Sequence, residues 1–131
     1  MRQQIQPSQR LGVQYPKWWD MSLFTSSSNY AQAVFNTLSL TSGPGKEVVQ
    51  NFNKTCSNKY KVTKVQCIQN RFLYEKYWSA RCTLMQLVGG NKINEQKVYH
   101  GTKLDVMKKI YKQGFMKVFS NNSTYGKGTY F

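Results

Sequence analysis

Apolar positions recur along the chain with helical spacing in three places. After the punctuation Thr41-Ser-Gly-Pro-Gly45, Val48, Val49, Phe52 and Cys56 fall at i, i+1, i+4 and i+8, which predicts a helix with one apolar face. Ser42 suits its N-cap and Pro44 its first turn. Arg71–Leu87 predicts the longest helix, with Phe72, Leu73, Tyr77, Ala80, Leu84 and Leu87 as its stripe. Leu104, Met107, Ile110 and Tyr111 predict a third helix, stopped by Gly114. Lys103, Lys108, Lys109 and Lys112 lie off that stripe and read as its solvated face.

Between the helices the pattern changes. Lys59–Gln69 is rich in β-branched residues and predicts a strand ended by Asn70. Val62, Val65 and Ile68 break strict alternation, so a bulge or two-sided burial is expected there. Lys97–His100 predicts a short strand running into Gly101, and Tyr125–Phe131 a last strand after the polar Ser120–Thr124. Ala31–Leu40 is mixed, either strand or helix, and Gly89–Lys92 is a turn. Residues 1–14 are Gln-rich and read as a polar linker, residues 22–30 as a loop. Trp18 and Trp19 read as a packing anchor, since indole burial needs no further function to justify it. The order is helix, strand, helix, strand, helix, loop, strand, without a repeat, which reads as α+β or α/β.

Composition narrows the classes. At 131 residues there is room for one domain, and 40% hydrophobic with 15% aromatic residues supports a packed core. Nineteen Lys and Arg against five acids leave +14, a field that favours phosphate-bearing partners: nucleic acid, an anionic membrane surface or a nucleotide. The basic residues are spread, which equally describes a solvated basic surface. Cys56, Cys67 and Cys82 are an odd, unclustered set and His100 is the sole histidine, so no structural zinc and no other metal site is expected. Free thiols point to an intracellular setting, nuclear or cytoplasmic. No run of apolar residues has membrane-spanning length, so no membrane partner is expected.

The acids are too few and scattered for a paired-carboxylate mechanism, and no nucleophile elbow or P-loop accompanies His100. What stands out is an ordered set: Asn94-Glu95, then Val98-Tyr-His-Gly-Thr102, then Gly114-Phe115, then Tyr125-Gly-Lys-Gly-Thr-Tyr-Phe131. Taken singly each piece is weak, and a lone His after a strand is more often structural. Together, and with Phe52-Asn-Lys-Thr-Cys56 and Ile68-Gln-Asn70 upstream, they resemble the catalytic domain of the poly(ADP-ribose) polymerase superfamily, in its macrodomain-linked mono-ADP-ribosyltransferase branch. Tyr74 stands where many members carry Trp.

The resemblance runs from about Tyr15 to Phe131 and implies an α+β fold, the N-terminal half of a split antiparallel sheet with flanking helices. It implies NAD as substrate, a protein as acceptor, release of nicotinamide, and His100, Gly101, Thr102 and Tyr130 as the NAD-binding residues, with His100 and Tyr130 catalytic. His100 would bond the adenosine ribose, Gly101 bring bare backbone to the nicotinamide carboxamide, and Thr102 offer a hydroxyl near the adenosine side. Tyr130 would stack on the nicotinamide ring, and the loop from Phe115 to Tyr125 cover the dinucleotide. The family's third functional position lies on a later strand than any here. Residues 15–131 are therefore expected to be a partial catalytic domain, inactive by itself and with open strand edges. The alternative is a non-catalytic basic module that binds nucleic acid or an ADP-ribose-like ligand.

Overall fold

A computed structural model describes residues 12–25, 30–90, 92–116, 122–123 and 126–127, the last four by backbone alone. They divide into two compact units, one of Tyr15–Asn29 with Ala33–Gln69, the other of Met1–Gln14, Tyr30–Gln32 and Asn70–Phe131. Helices accompany strands that pair only antiparallel, so the α+β expectation holds.

The first unit carries β1 (Val34–Leu38), α1 (Gly43–Thr55) and β2 (Val65–Gln69). β1 and β2 pair antiparallel, with Val34 opposite Gln69 and Leu38 opposite Val65. Alternation puts Val34, Asn36, Leu38, Val65, Cys67 and Gln69 on the more covered face. The mixed segment 31–40 thus resolves as strand. β2 begins at Val65, later than the Lys59 expected, so Val62 is outside the ladder and no bulge is needed to reconcile Val65 with Ile68. α1 follows Ser42 with Pro44 in its first turn, though the Ser42 side chain makes no capping bond. Its covered line is Gly45, Val49, Phe52 and Cys56, while Val48 is exposed. Gly45 is required by space, since a Cβ there would stand 1.9 Å from the Ser39 carbonyl oxygen.

Fully buried Gln69 binds a backbone in place of a strand. Its Oε1 accepts from the Asp20 N–H at 2.7 Å, and its Nε2 donates to the Asp20 carbonyl at 2.9 Å. Asp20 in turn caps a 3-10 turn, Met21–Leu23, through Ser22. Trp19 stacks on Tyr15 and leans on Phe24, so the anchor reading holds for Trp19, whereas Trp18 is exposed.

The second unit carries α2 (Arg71–Val88), α3 (Leu104–Gln113) and a short antiparallel pair, β3 (Asn122–Ser123) with β4 (Gly126–Lys127). α2 stops at Gly89 and Gly90, both at positive φ, with the Gly90 N–H returned to the Met85 carbonyl. The expected stripe of α2 is largely exposed: Phe72, Tyr77, Leu84 and Leu87 all lie open. The covered line is Arg71, Glu75, Trp78, Cys82 and Met85. Apolar residues occupy more than one side of this helix, and period alone does not say which side is covered. On α3, Met107, Ile110 and Tyr111 are half-buried, its three lysines and the N-cap Lys103 are exposed, and Leu104, expected on the stripe, is exposed as well.

Residues 97–100, expected as strand, have no regular secondary structure. A strand needs a ladder, and among the described residues the ladders join only β1 to β2 and β3 to β4. Of the predicted last strand, Gly126 and Lys127 form β4, and Tyr125 and 128–131 lie outside the described residues. Most of the predicted linker does too, but Gln14 accepts a hydrogen bond from the Tyr74 hydroxyl at 3.0 Å. No apolar side chain among the described residues is fully buried, and no described helix is long and apolar enough to cross a membrane.

Candidate active site

α2 opens at Asn70, and this side chain organises the unit. Its Oδ1 accepts from the Leu73 N–H at 3.1 Å, the bond expected of an N-cap. Its Nδ2 donates to the carbonyls of Ala31 at 3.3 Å and Tyr111 at 3.1 Å. Asn70 is 4% exposed, so these bonds form where water does not compete. The last turn of α3 is thereby held to the first turn of α2.

α3 ends as its sequence dictates. Gly114 has φ 82, and its N–H returns to the Ile110 carbonyl at 2.7 Å. A Cβ at Gly114 would meet Leu73 only at ordinary contact distance, so the glycine is needed for its backbone angle and not for space. The turn brings Phe115 back against His100. Their rings meet edge to face, with centroids 5.1 Å apart and planes at 84°. His100 is half-buried, and Gly101 and Thr102 beside it are exposed. Nothing lies within 4 Å of where a Gly101 Cβ would stand, and its φ is outside the left-handed region.

Before His100 the chain is fastened to α2. The Tyr77 hydroxyl donates to Glu95 Oε2, and Arg81 Nε donates to the same oxygen at 3.1 Å. Tyr77 and Arg81 are one turn apart on one helical face. Desolvation, then the bond and charge of Glu95, push the Tyr77 phenol up to about 12. The hydrogen bond from Tyr77, with Arg81 adding to it, holds the Glu95 carboxyl below its usual 4.5. Desolvation also raises the Tyr74 phenol. Rings back the donors, with Tyr77 5.7 Å from Tyr74 and the Arg81 guanidinium 5.6 Å above Trp78. An open groove of about 800 Å³ follows another side of α2, lined by Tyr30, Phe72, Lys76, Ala80 and Leu84 among others. None of His100, Gly101 and Thr102 lines it.

Residues 45–131 match the poly(ADP-ribose) polymerase catalytic domain family. The chain belongs to this family. It is 35% identical over 86 residues to protein mono-ADP-ribosyltransferase PARP14 of Homo sapiens, covering 64% of this chain and 5% of that protein. Against protein mono-ADP-ribosyltransferase PARP12 of Mus musculus the identity is 36% over 97 residues, 72% of this chain and 14% of that protein. A probable poly(ADP-ribose) polymerase of Dictyostelium discoideum is 29% identical over 123 residues, 89% of this chain and 35% of that protein. The chain thus spans a minor part of the length of the curated relatives it matches.

Of the expected poly(ADP-ribose) polymerase site residues, His100, Gly101 and Thr102 form one continuous approach to α3, and Tyr130 lies outside the described residues. Sequence reasoning passed over Phe115 as the ring against His100, and Tyr77 and Arg81 as partners of Glu95. Gly114-Phe115 and Asn94-Glu95 were visible as motif pieces. The spacing of Tyr77 and Arg81, with an acid soon after the helix, was the one available signal for that contact.

Proposed function

We propose that the chain is the NAD-holding part of an ADP-ribosyltransferase catalytic domain that places one ADP-ribose unit on a protein side chain. The supporting family match is joined by the names of two relatives, which are mono-ADP-ribosyltransferases. The observation that carries the reading is Gly101. Gly101 is exposed and nothing lies where its Cβ would stand, which leaves its main chain open to a ligand carboxamide laid along it.

In the proposed reaction the bond between nicotinamide and ribose breaks and nicotinamide leaves. An acceptor side chain bonds the same ribose carbon and gives up its proton. His100 binds the adenosine ribose, Gly101 and Thr102 line the dinucleotide, and Tyr130 stacks on the nicotinamide, so the residues act by holding NAD for in-place attack. Residues 15–131 are the part of the domain that supplies these groups. Free, half-buried Cys56, Cys67 and Cys82 accord with a nuclear or cytoplasmic setting.

The test is NAD binding and labelled-NAD transfer by the full-length protein. His100→Ala and Tyr130→Ala are expected to lower transfer on the order of 100-fold while leaving the fold intact. A folded full-length protein without affinity for NAD overturns the reading. A second reading, a basic module for nucleic acid, is favoured by the exposed Lys103, Lys108, Lys109 and Lys112 around α3. It requires binding that weakens steeply with salt and is indifferent to His100→Ala.

A further inference from the structure

We infer that Glu95 is a positioning residue for His100, clamped by Tyr77 and Arg81 of α2. The inference rests on the NAD-binding reading for its functional consequence and on geometry for its structural one. Two donors from successive turns of a rigid helix converge on one carboxylate oxygen, Oε2 of Glu95. An exposed ion pair of this kind contributes little to global stability, because water screens it and long side chains lose freedom in forming it. What it fixes is place.

From Glu95 to His100 the chain reaches no further than about 18 Å even when fully drawn out. A clamp at Glu95 therefore limits where the imidazole arrives, and the edge-to-face contact with Phe115, which follows α3 in the chain, bears on its ring orientation. α3 is itself tied to α2 through Asn70 and Tyr111. Both constraints on His100 thus lead back to α2 and its N-cap. Glu95 acts through the segment that ends at His100.

The donors suit a permanent clamp. The phenol retains its proton and the carboxyl its charge throughout the neutral range, since each is shifted away from it. Tyr74 and Trp78 stack beneath the donors with centroids 6.4 Å apart, and Tyr74 and Arg81 are the remaining groups whose charge bears on Tyr77.

The test uses the full-length protein with Glu95→Ala, Glu95→Gln and Tyr77→Phe. The His100 ring signals in nuclear magnetic resonance, assigned by their loss in His100→Gln, are read without ligand. Glu95→Ala and Tyr77→Phe are expected to displace them, and Lys108→Ala to leave them in place. With NAD, Glu95→Ala is expected to raise KM on the order of 10-fold. Glu95→Gln stays near wild type, because its amide oxygen still accepts both bonds. Should Glu95→Ala fail to fold, Tyr77→Phe decides, since it removes one donor and little volume. Unmoved His100 signals in a folded variant overturn the proposal, as does a lowered melting temperature with unchanged signals and KM. A wild-type protein that ignores NAD sinks the function instead, and the ligand-free signals still judge the clamp.

Discussion

The Asn70 amide nitrogen donates to the Tyr111 carbonyl at 3.1 Å, so the residue that starts α2 also closes the end of α3. One side chain caps a helix and holds a distant turn, and its two ends require different atoms.

That division gives a discriminating pair of variants. Asn70→Ala loses the cap and both donor bonds and is expected to cost about 2–4 kcal/mol in urea denaturation. Asn70→Asp keeps an excellent capping oxygen but turns a carboxylate on the carbonyls of Ala31 and Tyr111. It is expected to destabilise at least as much at neutral pH, contrary to its rank as an N-cap.

Gln69 poses the same question against Asp20. Its amide satisfies both the N–H and the C=O of one backbone residue while fully buried. Gln69→Glu retains the acceptor, loses the donor and buries a charge, so it should melt lower than Gln69→Ala. Thermal denaturation of the two variants side by side checks the order.

Two glycines separate packing from binding. Gly45→Ala drives a methyl into the Ser39 carbonyl and is expected to cost about 3 kcal/mol or more. Gly101→Ala meets nothing and is expected to change stability by about 0.5 kcal/mol or less. Calorimetry should nonetheless find NAD binding weakened in Gly101→Ala and, once folded, retained in Gly45→Ala.

The Tyr77–Glu95 contact predicts a pH window. The Glu95 carboxyl titrates below 4.5 in the folded chain, so its benefit is whole above 4.5 and is lost as pH falls through the lower folded value. The Tyr77 phenol is raised, so its benefit is whole below 10 and is lost as pH rises through about 12. The stability difference between wild type and Tyr77→Phe should therefore be flat between those limits and shrink on both sides. Denaturation at a series of pH values measures it; a difference that peaks near pH 7 contradicts the contact.

Much of this was written locally in the chain. Asn70 and Gly114 as helix boundaries, the Gly89-Gly90 stop and the solvated lysines of α3 follow from capping, backbone freedom and period, which are properties of neighbours in sequence. His100, Gly101 and Thr102 were legible as a motif, and the family match agrees with the family that the motif suggested. Which side of α2 is covered, where β2 begins and whether 97–100 forms a ladder were not, because each depends on what another segment supplies. The second roles of Asn70 and Gln69, the Phe115 ring on His100 and the meeting of Tyr77 and Arg81 on Glu95 were likewise decided only in three dimensions. Hydrogen bonds and ring contacts across long stretches of chain are set by where helices bring their ends, and no local pattern encodes that.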